Sequence, residues 1–342
     1  MKKLFLLFTL ILFALVSRAQ HIEVLQQGKA TSFRGLSVVD DHVAWVSGSK
    51  GTIALTADGG KSWDWKQVKG YEKSDFRDIE AFSSKDAIIM SSGTPALILK
   101  TSDGGETWHE KYRNADTTYF FDAMDFDGLK HGLVLGDPIN GKFVLMETND
   151  AGETWHPFKN PPDALPGEAA FAASGTCLRV NKGEILIATG GSQSRFLTSE
   201  DFDGSNKGWY QQRLSLSHGK SSQGAFSIAR SNEDLTILVG GDYANDKRID
   251  SVAEYQYFDQ IRATTIEVFP KIQPAGFQSC VEFIAADTFL STGTPGSNLT
   301  NDGGKTWTQI DDASYNVCRK AKNGHLVLLA GDHGRIGIFN VK

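Results

Sequence analysis

Cysteine is scarce in this chain: three residues in 342, Cys177, Cys280 and Cys318. An odd number leaves at least one thiol unpaired within a monomer, so the fold cannot depend on disulfides. No Cys-x-x-Cys occurs, and no two histidines stand at metal-ligand spacing, so no metal site and no cofactor are expected. Phosphate-cradling glycine loops, a nucleophile elbow and zinc motifs are missing too. So is any lysine- and arginine-rich block: 35 basic residues against 41 acidic ones give a formal charge of −6. That balance argues against nucleic acid as a partner. Long hydrophobic runs are limited to Leu4–Val16, which falls short of the ~20 residues a membrane span needs.

What is present begins with that run. Lys2 and Lys3 precede it and Ser17-Arg18-Ala19 follows as a small-x-small pattern. Residues 1–19 therefore read as a secretory signal peptide and residues 20–342 as one domain. Cleavage after Ala19 removes three positive charges and leaves 32 basic against 41 acidic residues, a formal charge of −9. No Cys stands at the cleavage site to carry a lipid. The expectation is an exported monomer, periplasmic or secreted, with no membrane span once the signal is gone.

Four near-copies of one phrase organise the rest. They are Thr56-Ala57-Asp58-Gly59-Gly60-Lys61-Ser62-Trp63, then Thr101 to Trp108 around Asp103, Thr148 to Trp155 around Asp150, and Thr300 to Trp307 around Asp302. The first three start 45 and 47 residues apart, and the last follows after 152, about three further periods. A recurrence of that length signals stacked repeat units. Upstream of the motifs lie strand starts at Phe33-Arg34-Gly35-Leu36, Phe76-Arg77-Asp78-Ile79 and Phe120-Phe121-Asp122-Ala123. A second apolar strand ending in glycine, a third running into the motif and a fourth carrying the Trp complete each unit.

Four short β-rich runs per period make one propeller blade. The same template places a fourth unit from Phe171 to Trp209, a fifth from Phe226 to about Phe269 and a sixth from Phe277 through the Asp302 motif. A seventh, from Tyr315 to Phe339, has only three strands, and Ile22–Leu25 supplies the missing one. Pairing the two ends removes the open edges of the array. The expectation is all-β: a seven-bladed propeller of four-stranded antiparallel blades, closed by the N-terminal strand and nearly free of helix. Cys280 and Cys318 share a column of this repeat, so a bridge between neighbouring units and two buried thiols are both open readings.

In the motif, Asp and Ser/Thr side chains can accept from backbone N–H groups of a tight turn. Gly supplies positive φ, and Trp covers the turn with a large apolar face. Asp58, Trp63, Asp103, Trp108, Asp150, Trp155, Asp302 and Trp307 are thus structural staples.

The four phrases resemble the Asp-box of bacterial neuraminidase repeats, a pattern shared by sialidases and by many non-catalytic propellers. With the Phe-Arg-x-[Leu/Ile] strand starts, the export signal and the blade count, the whole mature chain looks most like the photosystem II assembly/stability factor family. That resemblance implies a scaffold that binds another protein or protein complex without catalysis. A glycan-binding protein or a sialidase-like glycoside hydrolase is the alternative. Sialidases need three arginines around one carboxylate, a Tyr nucleophile paired with an acid, and a separate Asp. Arg34 and Arg77 could be two of the arginines and Tyr243 or Tyr315 the phenol, but neither strand start matches that family's Phe-Arg-Ile-Pro.

Strand order assigns faces. Strand-one starts and second-to-third-strand loops share one face, and the Asp motifs share the other. The first face gathers Arg34, Arg77, Asp122, Asp137, Glu168, Asp242, Tyr243, Asp332 and His333, together with Gln223, Gln278 and Asn316. As a ring around the channel mouth they form the candidate binding surface, since function concentrates on loops held by a rigid scaffold. The two arginines could grip a carboxylate. Asp201–Asn206 and Asp125–Gly128 resemble pieces of calcium loops but lack the full ligand run and the closing Glu, so turn chemistry explains both.

Overall fold

The computed structural model describes residues 20–200, 208–259 and 264–340. The signal segment 1–19 and the Asp201–Asn206 stretch lie outside the described residues. Seven antiparallel sheets follow one another around a ring. Blade 1 is Phe33–Val38, Ala44–Gly48, Thr52–Thr56 and Asp64–Gln67. Blade 2 is Asp75–Ala81, Ala87–Ser92, Ala96–Thr101 and His109–Asn114, and blade 3 is Phe121–Asp127, His131–Ile139, Lys142–Thr148 and His156–Pro157. Blade 6 comprises Cys280–Ala285, Thr288–Gly293, Gly296–Thr300 and Thr308–Asp311. Blade 7 has Val317–Lys320, Val327–Ala330 and Ile336–Asn340, and His21–Gln26 pairs antiparallel with the last of these, His21 opposite Asn340. The two ends of the chain close the ring as the repeat count requires. Helix is confined, among the described residues, to two 3₁₀ turns, Tyr243–Asn245 and Asp332–Gly334.

Two blades depart from the template. The first strand of blade 4 is Leu178–Asn181, seven residues beyond the expected start at Phe171. Ile187, Leu186 and Ile185 pair with Leu178, Arg179 and Val180, which leaves residues 170–177 free to leave the sheet. Glu184–Ala188, Arg195–Ser199 and Tyr210–Arg213 complete that blade. Blade 5 is Gln223–Arg230, Thr236–Asp242, Ala253–Asp259 and Thr264–Val268, with two further short strands, Gly190–Gly191 and Glu168–Ala169, added on its inner side. Gly190 meets Gly224 so closely that a Cβ on either would fall 2.4–2.5 Å from the other's Cα. Only glycine permits that pairing.

The core is a succession of inter-blade seams. Trp45 of blade 1 is fully buried, and its indole N–H donates to Ser83 O of blade 2 at 2.9 Å. Burying such side chains contributes about 1.5–3 kcal/mol each. The Asp motifs join third to fourth strands as expected and repeat one geometry. The Thr56 hydroxyl donates to Asp58 at 2.9 Å and accepts from Gly60 N at 2.9 Å, while Asp58 accepts from Ser62 N at 2.9 Å and from its hydroxyl at 2.6 Å. The copy at Asp103 has 2.8, 3.0, 3.0 and 2.5 Å for the same contacts. Hydrogen bonds from Ser62 and Thr107 hold the Asp58 and Asp103 carboxyls down at about 2. At Asp150 burial works in the opposite direction, yet the Thr154 hydrogen bonds prevail and the value is again about 2.

Candidate functional site

The channel has two mouths, and the backbone defines them. Gly59, Gly104, Ala151 and Gly303, one in each Asp motif, donate to carbonyls of first-to-second-strand turns at His42, Lys85, Lys130 and Asp287. Those turns and the motifs therefore share a face, and the strand-one starts open on the other.

On the strand-start face the first strands of blades 1, 2, 3 and 5 each carry a register shift, between Phe33 and Gly35, Phe76 and Asp78, Phe121 and Ala123, and Ala225 and Ser227. Arg34, Arg77, Asp122 and Phe226 are the residues within those bulges, which re-aim a side chain out of the pleat. They do not point into an open channel. Residues 170–177, displaced from blade 4, run across it. Arg34 Nη1 donates to Ala173 O at 3.4 Å and Arg77 Nη1 approaches Ala172 O at 3.5 Å. Ala170 N donates to Asp137 at 3.2 Å, Ser174 Oγ to Ser279 O at 2.7 Å, and Thr176 Oγ1 to Ser227 Oγ at 2.5 Å. Phe171 stacks on Phe226 with centroids 3.8 Å apart and planes 9° apart. Gly175 has φ +69°, and a Cβ there would lie 2.2 Å from the Asp78 carboxylate. The segment thus ties blades 1, 2, 3, 5 and 6 together and plugs the expected mouth.

The remaining candidates on that face are mostly committed to the fold. Glu168 is buried beside Arg195, accepting from Nε at 2.8 Å and Nη2 at 2.5 Å, from Thr189 Oγ1 at 2.5 Å and from Leu165 N at 2.8 Å. It is a buried ion pair and not a member of a ligand ring. Burial pushes Asp122 well above the carboxylate range, with the charge of Asp137 adding to it, and Asp137 itself is raised by burial. Asp242 accepts from Gln223 at 2.9 Å and caps the Tyr243–Asn245 turn through Ala244 N at 3.0 Å. Gln278 is turned onto Gly276 O and Phe277 O at 3.1 and 3.0 Å. Asp332 accepts from Ser32 and from Asn316 at 3.1 Å, and His333 offers its backbone carbonyl to Gly28 and Lys29. Tyr243 is 52 % exposed and packs edge-on against Phe226 and Phe277. Tyr315 is fully buried, and burial pushes its phenol up to about 12, opposite to what a nucleophile requires.

The Asp-motif face holds what the sequence reading missed. A cavity of about 700 Å³ opens there, lined by the C-terminal ends of all seven first strands. One ring of it is Ser37, Glu80, Asp125, Arg179, Ala229, Glu282 and Arg319, one residue per blade. Arg230, Lys320 and Lys322 stand closer to the rim, with Phe82, Phe126, Phe283 and the 69 %-exposed Leu129. Five cations face three carboxylates in a chain that is acidic overall.

Every acid there is occupied. Glu282 takes Arg179 Nη2 at 2.9 Å, Glu80 takes Lys322, and Asp125 accepts from Val180 N at 2.7 Å. Burial raises Asp125 to about 6 against the pull of Arg179, and burial also shifts Glu282 upward. Among the cations, Arg230 pairs with Glu184 and Lys320 donates to Ile284 O at 2.6 Å. Arg319 reaches Glu282 only at 3.9 Å, beyond hydrogen-bonding distance. A usable signal was in the sequence: Ile79-Glu80-Ala81, Leu178-Arg179-Val180 and Val281-Glu282-Phe283 each place one charge between two apolar neighbours within a strand.

All three cysteines are buried free thiols, so the bridge left open between Cys280 and Cys318 is not formed in this structure. No cluster of His, Cys, Asp and Glu able to hold a metal is found among the described residues, and no helix there is long and apolar enough to cross a membrane.

Fold and site together define a closed seven-bladed propeller, fastened by Asp motifs, with a plugged mouth on one face and a charged well on the other. The sequence profile described as Photosynthesis system II assembly factor YCF48 matches residues 16–115 and 64–198, together more than half of the chain. The chain belongs to that family. No curated protein matches it. Among solved structures it resembles "YCF48 bound to D1 peptide" (TM-score 0.67, 15% identity, covering 95% of this chain and 97% of that one). It is also similar to YCF48 from Cyanidioschyzon merolae (0.64, 14%, 94% and 99%). A xyloglucanase from Xanthomonas campestris shares the fold as well (0.59, 15%, 93% and 53%). At these identities the likeness is one of fold.

Proposed function

We propose that this chain is an exported, non-enzymatic propeller that holds a segment of another protein, and that the segment enters the well on the Asp-motif face. The observation that carries the reading is the well itself: about 700 Å³, contributed to by every blade, with five cations around three occupied carboxylates. Its charge suits a segment bearing Asp or Glu, with Arg319 as the cation least committed to the fold. Rim aromatics and Leu129 offer apolar contact around that charged centre. Family membership supports a protein partner, and a similar structure is one with a bound peptide. Residues 170–177 make the well blind, so a chain end or a tight loop fits it better than a segment threading through.

The glycosidase alternative finds less support. Arg34 and Arg77 are directed at backbone carbonyls of the plug, and Tyr315 is buried with its phenol proton held firmly.

The test combines two assays. Fluorescent peptides rich in Asp and Glu are titrated into the wild-type protein and Arg319→Glu, beside incubation with sialyl and neutral chromogenic glycosides. Binding of the acidic peptides that the substitution weakens at least tenfold, with no glycoside turnover, supports the reading. Rapid turnover, or peptide binding indifferent to Arg319, contradicts it.

A further inference from the structure

Blades 6 and 7 carry a pair of thiols face to face. Cys280 lies on the first strand of blade 6 and Cys318 on the first strand of blade 7, both fully buried in the same apolar seam. Cys280 Sγ is 3.3 Å from Cys318 O, Cys318 Sγ is directed back at blade 6, 3.6 Å from Leu290 O, and the two thiols are within hydrogen-bonding reach of each other. The strands that bear them are already fixed side by side. Ser279 Oγ donates to Asn316 O at 2.7 Å, and Lys320 Nζ to Ile284 O at 2.6 Å. Cys177 is placed differently, at the end of the plug just before blade 4, near the carboxyls of Asp122 and Asp78. The seam matters because blade 7 is the blade completed by the N-terminal strand, the point at which the ring closes.

We infer that Cys280 and Cys318 are joined as a disulfide when the chain folds in an oxidising compartment, covalently fastening blade 6 to the closing blade while Cys177 stays a free thiol. The chemistry is thiol–disulfide exchange with an external disulfide, either a protein oxidant or oxidised glutathione. The thiolate of one cysteine attacks the incoming S–S bond, forming a mixed disulfide and releasing one thiolate. The second cysteine then attacks the first one's sulfur, forming the inter-blade S–S bond and expelling the second thiolate. The pair loses two protons and two electrons, and the incoming disulfide gains them as two thiols. Full burial of both sulfurs places the exchange during folding, before the seam closes, and shields the finished bond from reductants afterwards. Cross-linking residues 280 and 318 restricts the unfolded chain and favours the native ring.

The full chain is unfolded and refolded in glutathione buffer of defined ratio, trapped with iodoacetamide in denaturant and mapped by mass spectrometry. The same mapping is done on protein recovered from an exporting bacterial host without reductant. The expected result is a peptide pair linked through Cys280 and Cys318, with Cys177 alone alkylated. Thermal unfolding should then fall by several degrees on reduction in the wild-type protein and in Cys177→Ser, and should not respond to reductant in Cys280→Ser or Cys318→Ser. Three alkylated cysteines after refolding under oxidising glutathione, or a bridge that includes Cys177, overturns the inference. If a serine variant does not fold, the wild-type mapping and its redox-dependent melting decide alone.

Discussion

A Cβ placed on Gly152 would lie 2.3 Å from Cδ1 of Ile88, one blade back along the ring. The relationship repeats. Gly105 faces Ile53 and Trp45 of blade 1, Gly304 faces Ile237 of blade 5, and Gly60 faces Leu25 of the N-terminal strand. The glycine two residues after each motif Asp is therefore a close-approach position as well as a left-handed one: the motif shapes its own turn and seats it on the preceding blade. At the closing seam, the same contact presses the first motif against the strand that completes blade 7.

Gly152→Ala should be costly for both reasons. Its φ of +78° strains any side chain, and the added methyl meets Ile88. A loss of about 2–4 kcal/mol is expected from the strain and overpacking together. Gly141 has nearly the same φ, +79°, with nothing within 4 Å of a Cβ, so Gly141→Ala should lose only about 1 kcal/mol. Urea unfolding of the two variants separates contact from backbone strain; equal losses would remove the inter-blade argument.

Glu168 belongs to stability and not to recognition. Glu168→Ala would strand the Arg195 guanidinium, whose side chain is 7 % exposed and whose partners include both Glu168 oxygens. Breaking a buried pair from one side costs about 3–5 kcal/mol. A loss of unfolding free energy of that size is expected from urea titration, with affinity for acidic peptides unchanged in the folded fraction. A stable variant with lost binding would return Glu168 to the ligand surface.

Asp125 gives the well a pH dependence. Its carboxyl, ordinarily near 3.8, is raised to about 6 by burial. A raised folded value means the folded state holds the proton more tightly than the unfolded one. The stability this contributes is complete below 3.8 and is lost as pH rises through 6. Asp125→Asn, which cannot ionise but can still accept from Val180 N, lacks that loss. Thermal melts across this range should show the variant gaining on the wild-type protein as pH rises, then running parallel above it. Parallel curves throughout would mean Asp125 titrates as an ordinary surface carboxylate.

Blade count, ring closure and the staple role of the Asp motifs were legible because each rests on a local, repeated signal: Thr56 to Trp63 recurs with its spacing intact, and Ile22–Leu25 reads as an unpaired strand beside a three-stranded unit. The face carrying the well was not. A register shift after Phe33 or Phe76 is invisible in composition, yet it decides where Arg34 and Arg77 point. Phe171 resembles the other strand starts because it too packs at the channel mouth, but it does so from a plug. That segment is held by long-range contacts that Ala170, Ser174 and Thr176 make to Asp137, Ser279 and Ser227, which no neighbouring residue announces.

The choice of face is tested most directly by site-specific photo-cross-linking in the native host, with a photoreactive amino acid at Leu129 on the rim of the well or at Tyr243 beside the plugged mouth. Both side chains are more than half exposed, so either position tolerates the probe. A discrete protein adduct from position 129, suppressed by Arg319→Glu, with none from position 243, is the predicted outcome. The opposite pattern, adducts at 243 that ignore Arg319, would contradict the assignment of the well as the binding site.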